Sequence, residues 1–525
     1  MSKIYEIGKT AQDKIATGVN KLANTVKLTL GPKGKNVILD RKFTTPLITN
    51  DGVTIAKEFE LSDNYENMGV KLIKEVCQKT NDLAGDGTTT AIVLAQKMLN
   101  EGLKHCNNGV SPILLNKGLN LAKEESVKII KSLSKQITTT KELEQIATIS
   151  SQDENIGKLI ASAFDKLGKT GNIILQDSKT ANTEIVFQEG MSFNKGFLSP
   201  FLCNNSEKTQ TDFEDCYLLI VEKKINNFNE LLPIFEQILK ENKPLLIICD
   251  DIDEEALSAI IINKVRGTFN CCVVKSPMHA DKKTAILEDI AIISNTKVFS
   301  AVSCPNLQEI KLEELGKLKQ AKITKDTTTI VAKNTNTENL KQRQNQIKAQ
   351  IENCDNDFDK EQLKSRLSNL TGGIATILVG ANTEVEQLEK KLRIEDAISA
   401  STSANELGIV CGGGICLFQT AKILSKKMKK LKGEQKLAYE IFLQVLKEPL
   451  KQILNNSEIE ASLIISKIEK NTNKNYGYDA LNNKFCDMIS VGIIDPAKVT
   501  ITALTNATSV VTTMLTTEAI VTDKE

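Results

Sequence analysis

The sequence predicts a multi-domain protein of the α and α/β class, in which an α/β domain is inserted into an α-helical one. Three observations carry this. At 525 residues the chain is too long for one compact core, so about two to four domains are expected. Roughly the first 130 and the last 120 residues are helix-rich by apolar periodicity, with few strand signals among them. The middle instead holds YLLIVE at Tyr217–Glu222, LLIIC at Leu245–Cys249 and CCVVK at Cys271–Lys275. These are short continuous apolar runs of the kind buried parallel strands show, and helical patterns separate them.

Taken in order, Ile15, Val19, Leu22, Val26 and Leu30 recur at three- or four-residue steps, and that pattern stops at Gly31-Pro32-Lys33-Gly34. The glycines permit close backbone approach, which makes TLGPKGKNV a candidate phosphate loop as well as an ordinary helix stop. A second candidate is GDGTTT, Gly85 to Thr90, followed by the buried-helix pattern AIVLAQKML. Thr88 to Thr90 would occupy the first helical turn, where unpaired N–H groups and the positive dipole end attract anions. Asp86 would repel a phosphate unless a cation lay between them, and Mg²⁺ selects such oxygen ligands. Taken alone, the motif reads more readily as a turn with an N-cap than as a nucleotide site. Gly190 and the pair Gly372-Gly373 bracket the middle region as hinge candidates. The stretch Thr337 to Leu370 predicts two polar amphipathic helices with a turn near Asp355-Asn356-Asp357.

Composition removes several functional classes. Lys and Arg number 67 against 66 Asp and Glu, a net charge of +1, which gives no footprint for nucleic acid or anionic lipid. No apolar run reaches the roughly 20 residues of a membrane-spanning helix. MSKIYEIGKT carries neither a signal-peptide apolar region nor a transit segment, so a cytoplasmic protein is expected, and the Lys, Asn and Ile usage fits a bacterium with an AT-rich genome. The 12 cysteines form no CxxC pair and are expected as buried free thiols. With His105 and His279 the sole histidines, a His-based triad or polyhistidine metal site is disfavoured. Nothing reads as a Walker loop.

LTLGPKGKNVIL, ITNDGVTIAKE, ENMGVKLIKEV and NDLAGDGTTTAIVLAQ follow one another in that order, and the pattern continues through FLSPF, KPLLII, KDTTTI, RIEDAISA, GGGICL, NYGYDA and IIDPAKVT to VTD. On these residues the chain resembles the group I chaperonins, the GroEL type, over essentially its whole length. The resemblance implies an equatorial domain from 1–132 and 407–525, an intermediate domain from 133–189 and 374–406, and an apical domain at 190–373. It implies an ATP hydrolase coupled to protein folding, working as a homo-oligomer of two stacked seven-membered rings. Unfolded client proteins and a GroES-type co-chaperonin lid would be its partners, and ATP, Mg²⁺ and K⁺ its cofactors.

Carried over residue by residue, Thr29, Leu30, Gly31 and Pro32 would line the phosphates, and Gly87, Thr88, Thr89 and Thr90 would donate to them. Asp86 would hold Mg²⁺, while Thr29, Asn50, Asp86 and Thr89 match K⁺ positions. Gly412 and Gly413 would lie under the ribose and Asp495 would accept its hydroxyls. Ile149 completes the nucleotide set, with Ile453, Tyr478, Asp479, Ala480 and Ile493 around the base. Asp51 and Asp396 would orient and polarise the attacking water. From the sequence alone, Asp396 reads as a solvated helix charge beside Arg393 and Glu395. In the family it rides on the intermediate domain and reaches ATP after closure.

Client and lid binding would fall to Phe197, Phe201, Leu202, Leu232, Phe235, Leu257, Ile261 and Ile262, flanked by Glu236 and Asn263, as exposed apolar surface. Helix periodicity by itself would bury most of these. The chain also departs from the family pattern. Pro277 to Lys283 lacks the usual turn glycines, Asp479 replaces an amide, and no Gly/Met-rich tail follows VTD. Leu407 and Ile501 stand where relatives often carry an acid and an arginine, so an apolar, salt-insensitive contact is expected there. An ATP-binding holdase with weak encapsulation and an unrelated small-molecule kinase remain as alternative functions; lid binding would separate the first, a defined acceptor pocket the second.

Overall fold

In the computed structural model the described residues are 3–40, 46–151, 153–168, 172–178, 180–205, 208–277, 281–352 and 356–523. They group into two units, one of 1–162, 179–182 and 379–525, the other of 163–178 and 183–378. Residues expected as an intermediate domain occur in both: 133–162, 179–182 and 379–406 in the first, 163–178, 183–189 and 374–378 in the second.

In the first unit, the spacing of Ile15, Val19, Leu22 and Val26 buries one face of the helix Lys9–Val26. Helices Asn64–Ala84, Thr88–Cys106, Pro112–Leu133, Gly433–Asn456 and Ala497–Leu515 share its core, where Leu22, Ile73, Ile92, Met98, Leu115 and Phe442 are fully buried. Each such side chain contributes roughly 1.5–3 kcal/mol relative to exposure. Asp63 starts the Asn64–Ala84 helix by accepting from the N–H groups of Tyr65 and Glu66. Gly85, at φ 69°, ends it. Short antiparallel ribbons pair Lys3–Ile7 with Ala519–Asp523, Ile409–Cys411 with Ile494–Pro496, and Tyr476–Asp479 with Lys484–Asp487.

The second unit is built on a seven-stranded sheet. The three apolar runs are its parallel strands Gln210–Ile225, Leu245–Ile252 and Cys271–Lys275, with Leu218 beside Leu246 and Leu246 beside Cys272. The sheet is mixed, because Gly316–Thr324, Thr328–Ala332 and Gly190–Phe193 extend it antiparallel from the 210–225 strand. In the first two of these the side chains alternate or carry threonines, so no continuous apolar run announces them. The expected helix pair is present as Thr337–Glu352 and Asp357–Gly372, with Asp355 outside the described residues. Arg343 and Arg366 from these helices close on the fully buried Asp289, with nitrogen–oxygen distances of 2.7 Å each. Of the hinge candidates, Gly373 has φ +63°, whereas Gly190 is required by space: a Cβ there would lie 2.5 Å from Ile374 Cδ1. Met278, His279 and Ala280 of the altered loop lie outside the described residues, and Lys283 pairs with Asp250 at 2.6 Å.

Eleven cysteines are described, all as free thiols; seven are buried, and Cys106, Cys203, Cys304 and Cys486 are half-buried. Burial pushes the thiols of Cys77, Cys216, Cys249 and Cys272 up to about 12. Among the described residues no helix is long and apolar enough to cross a membrane.

Candidate functional site

Two glycine turns and one helix start meet in the first unit. Gly87, at φ 84°, precedes the helix Thr88–Cys106 and supplies no capping side chain, so the first-turn N–H groups have no side-chain acceptor. Thr29 Oγ1 donates to Val26 O at 2.9 Å and sits 3.5 Å from Thr89 Oγ1, bringing the end of the Lys9–Val26 segment against that helix start. A Cβ on Gly52 would lie 2.6 Å from Thr89 Oγ1 and 3.1 Å from Thr88 Oγ1. The Asn50-Asp51-Gly52 turn therefore reaches the same spot, and glycine is what lets it approach. Gly31, at φ +91°, lies on Ile453, whose Cγ2 would be 3.1 Å from an added Cβ.

Asp51 has a local task as well. It is the N-cap of the helix Gly52–Glu58: Oδ1 accepts from Val53 N at 3.2 Å, and Oδ2 from Thr54 N at 2.8 Å and Thr54 Oγ1 at 2.6 Å. Three of about four acceptor positions on the carboxylate are thus filled, leaving one on Oδ1. Asp86, on the turn before the other helix, accepts from Gly87 N at 2.5 Å.

Asp396 projects into this cleft and not to solvent as its sequence neighbours suggest; Arg393 pairs with Glu389 instead. Its helix, Glu384–Leu407, is seated by Ser403 Oγ donating to Ala84 O at 3.0 Å and by Ser399 lying against Gly85. Desolvation, then the charges of Asp86 and Asp51, hold the Asp396 carboxyl well above the usual carboxylate range. Asp86 is raised by desolvation and by Asp51, and Asp495 is raised to about 7 by desolvation and by Asp86. All four carboxyls keep some accessible surface, and protein surrounds Asp86, Asp396 and Asp495 densely.

Such crowding of acids is unfavourable by itself and is relieved by a cation. Ser150 Oγ is buried beside Asp86, with no partner at full hydrogen-bond distance among the described residues. No group of three or more His, Cys, Asp or Glu side chains among the described residues is close enough to hold a metal by itself. The residues therefore fit Mg²⁺ held by one carboxylate, with the remaining positions left to phosphate oxygens and water, its ordinary mode.

On the other wall, Gly413 and Gly414 have φ +63° and +77°, and a Cβ on Gly412 would sit 2.9 Å from Asp495 Oδ1. Ile493 and Tyr478 pack with Ile415, Leu450, Leu454 and Met488 in a separate apolar cluster, and Ala480 is buried. Asp479 is buried and already spent: Oδ1 accepts from Leu481 N at 3.0 Å and Asn482 N at 3.1 Å, Oδ2 from Asn482 Nδ2 at 2.8 Å. Burial pushes its carboxyl up, but these donors outweigh it and the net direction is down. Ile149 is largely exposed on the helix Thr140–Ser151, one residue from Ser150.

In the second unit the apolar candidates separate. Leu202 and Phe235 are core side chains, which corrects their expected place on a binding face. Phe235 stacks at 4.1 Å on Phe269 and 5.7 Å on Phe228. Phe197, Leu257 and Ile261 are half-buried. Phe201, Leu232 and Ile262 remain exposed at 54%, 40% and 49%, joined by Val265 at 70%. Sequence reasoning did not name Val265, although it falls four residues after Ile261 on the same helix. Ser150, Ser399, Ser403 and Thr54 were also missed. The run of small residues from Ala397 to Ala404 was the available signal for the close helix contact at Gly85.

The sequence profile of the TCP-1/cpn60 chaperonin family matches residues 22–525. Among solved structures, the chaperonin gp146 of bacteriophage EL 2 (Pseudomonas aeruginosa), crystallised in the presence of ATP-BeFx, superposes with a TM-score of 0.69 at 20% identity, covering 99% of this chain and 100% of that one. The profile spans nearly all of the sequence and the phage protein shares the fold from end to end, so this chain belongs to the TCP-1/cpn60 chaperonin family, whose role is assisting protein folding.

Proposed function

We propose that this chaperonin is ATP-dependent: it hydrolyses ATP in the cleft of the first unit and uses the cycle to capture and release non-native polypeptides. The observation that carries this reading is the convergence of Asp51, Asp86, Asp396 and Asp495 on one uncapped helix start, with three of the four carboxyls raised. Bound Mg²⁺ would neutralise phosphate charge beside Asp86. The N–H groups of Thr88 to Thr90 would bind phosphate oxygens, and Asp495 would accept from the ribose. Asp396 and the remaining Oδ1 position of Asp51 would orient a water for in-line attack and take its proton. We further assign client and lid binding to the exposed set Phe201, Leu232, Ile262 and Val265. The reading includes the equatorial, intermediate and apical division, a lidded ring of stacked heptamers, a K⁺ at Thr29 and Thr89, and a cytoplasmic setting. Measuring ATP turnover and refolding of a denatured client, with and without a co-chaperonin, tests it. Asp396→Ala should bind Mg²⁺-ATP normally and turn it over about 10²–10⁴-fold more slowly, whereas Asp86→Ala should bind it poorly. Equal loss of affinity in both would refute the division of roles.

A further inference from the structure

We infer that Asn456, which lies outside the nucleotide-site residues assigned above, is the positioning residue of the Thr29–Pro32 loop: it turns the Leu30–Gly31 peptide so that the Gly31 N–H is presented to phosphate. The inference rests on the nucleotide reading of that loop. Asn456 is the last residue of the helix Gly433–Asn456. Its Nδ2 donates to both Lys27 O and Leu30 O, each at 2.8 Å, and its Oδ1 accepts from the buried Gln452 Nε2 at 2.7 Å. Backbone carbonyls only accept, so the amide orientation is fixed by its partners.

The consequence follows from peptide planarity. In a trans peptide the N–H points opposite to the preceding C=O. With Leu30 O drawn toward Asn456, the Gly31 N–H faces away from it, and it donates to no protein atom among the described residues. A free N–H on a loop at φ +91°, beside the uncapped start of the Thr88–Cys106 helix, is a donor held ready for an anion. The same stretch of helix sets the opposite glycine loop as well. Ile453 lies under Gly31, and Leu450 N would be 2.7 Å from a Cβ on Gly414. Leu450 to Asn456 is thus a common floor for both loops, with Asn456 as its polar clamp.

The test uses the full-length protein, a fluorescent ATP analogue with Mg²⁺, and amide hydrogen exchange without nucleotide. Asn456→Ala should raise the nucleotide dissociation constant about tenfold, as expected for losing about two hydrogen bonds, while turnover at saturation changes less than about threefold. The amides of Gly34 and Lys35, which bond Gly31 O and Leu28 O at 2.9 Å each, should exchange faster. Asn456→Asp keeps the shape and loses the N–H donors, so it should bind as weakly near pH 8. It should recover affinity relative to wild type toward pH 5, where a protonated carboxyl donates again. Wild-type affinity in both variants would overturn the proposal, as would parallel losses of affinity, turnover and melting temperature without pH recovery, the signature of a merely structural role. A wild-type protein that binds no nucleotide would instead overturn the functional reading beneath it.

Discussion

Glu406 Oε2 lies 2.8 Å from Lys498 Nζ, tying the last turn of the helix that carries Asp396 to the first turn of the helix that follows Asp495. Leu407 and Ile501, beside this pair, both pack against the helical core. The apolar positions are therefore accompanied by an ion pair on neighbouring residues, so a salt-dependent link stands beside the expected apolar packing. The pair is partly exposed, worth about 0–1 kcal/mol and screened by salt. Lys498→Met should lower nucleotide affinity by less than about fivefold in dilute buffer, and the difference should vanish near 0.5 M salt, roughly where the Debye length falls to a few ångströms. Leu407→Ala should lose stability by an amount that does not change with salt. Titrations at two ionic strengths decide between them.

Acidity in the cleft gives a pH signature. Asp495 titrates at about 7 in the folded chain against 3.8 for a free side chain. Between those values the native state holds a proton that the unfolded state has lost. Stability is thus greatest below about pH 4 on this group's account, and falls as pH rises toward 7. Asp495→Asn removes the effect, so the nucleotide-free variant should gain melting temperature over wild type at pH 7.5 and show no gain at pH 4. A gain equal at both values would mean that Asp495 is not desolvated in solution.

Because the carboxylate of Asp51 also caps a helix, its substitutions should carry two separable costs. Asp51→Ala should lower stability by about 0.5–2 kcal/mol through the lost cap and slow turnover by about 10²–10⁴-fold. Thr54→Val removes just the 2.6 Å hydroxyl bond. It should cost about 0.5–1.5 kcal/mol and change turnover less than about tenfold, since the backbone donors still aim the group. Denaturation and single-turnover hydrolysis on the same preparations separate the two effects.

Burial divides the apolar set of the second unit into two kinds of mutant. Phe235→Ala should destabilise by about 3–5 kcal/mol, the usual cost of emptying an aromatic site. Val265→Glu and Ile262→Glu should leave melting unchanged while suppressing capture of an unfolded client. Light scattering during client aggregation reads the second effect and calorimetry the first. Client capture that survives both glutamates would move the binding face elsewhere.

The helical frame and the three parallel strands were legible because their apolar periods are long and unbroken, as in Ile15 to Val26 and Leu245 to Cys249. The two glycine turns at Gly31 and Gly85–Gly87 could be read from their glycines and threonines. Asp396 could not be read locally, since Arg393 and Glu395 precede it as on a solvated helix face and the fold alone brings it beside Asp86. Leu202 and Phe235 were misplaced for the opposite reason. An apolar side chain in a turn, as Leu202, or on an amphipathic helix, as Phe235, looks the same whether it meets the core or a partner, and the Phe228, Phe235 and Phe269 stack is invisible without the tertiary contacts. Asn456 gave no signal at all, because an asparagine at a helix end is common.

The buried thiols make the chain its own clock of opening. A sulfhydryl pushed this far up by burial has essentially no thiolate at neutral pH, and a maleimide or iodoacetamide has no route to it while the surrounding side chains stay packed. Cys77 and Cys416 lie in one unit, and Cys216, Cys249 and Cys272 in the other. Alkylation at these five positions, resolved by peptide mass, would time the loosening of each unit separately within one unlabelled molecule.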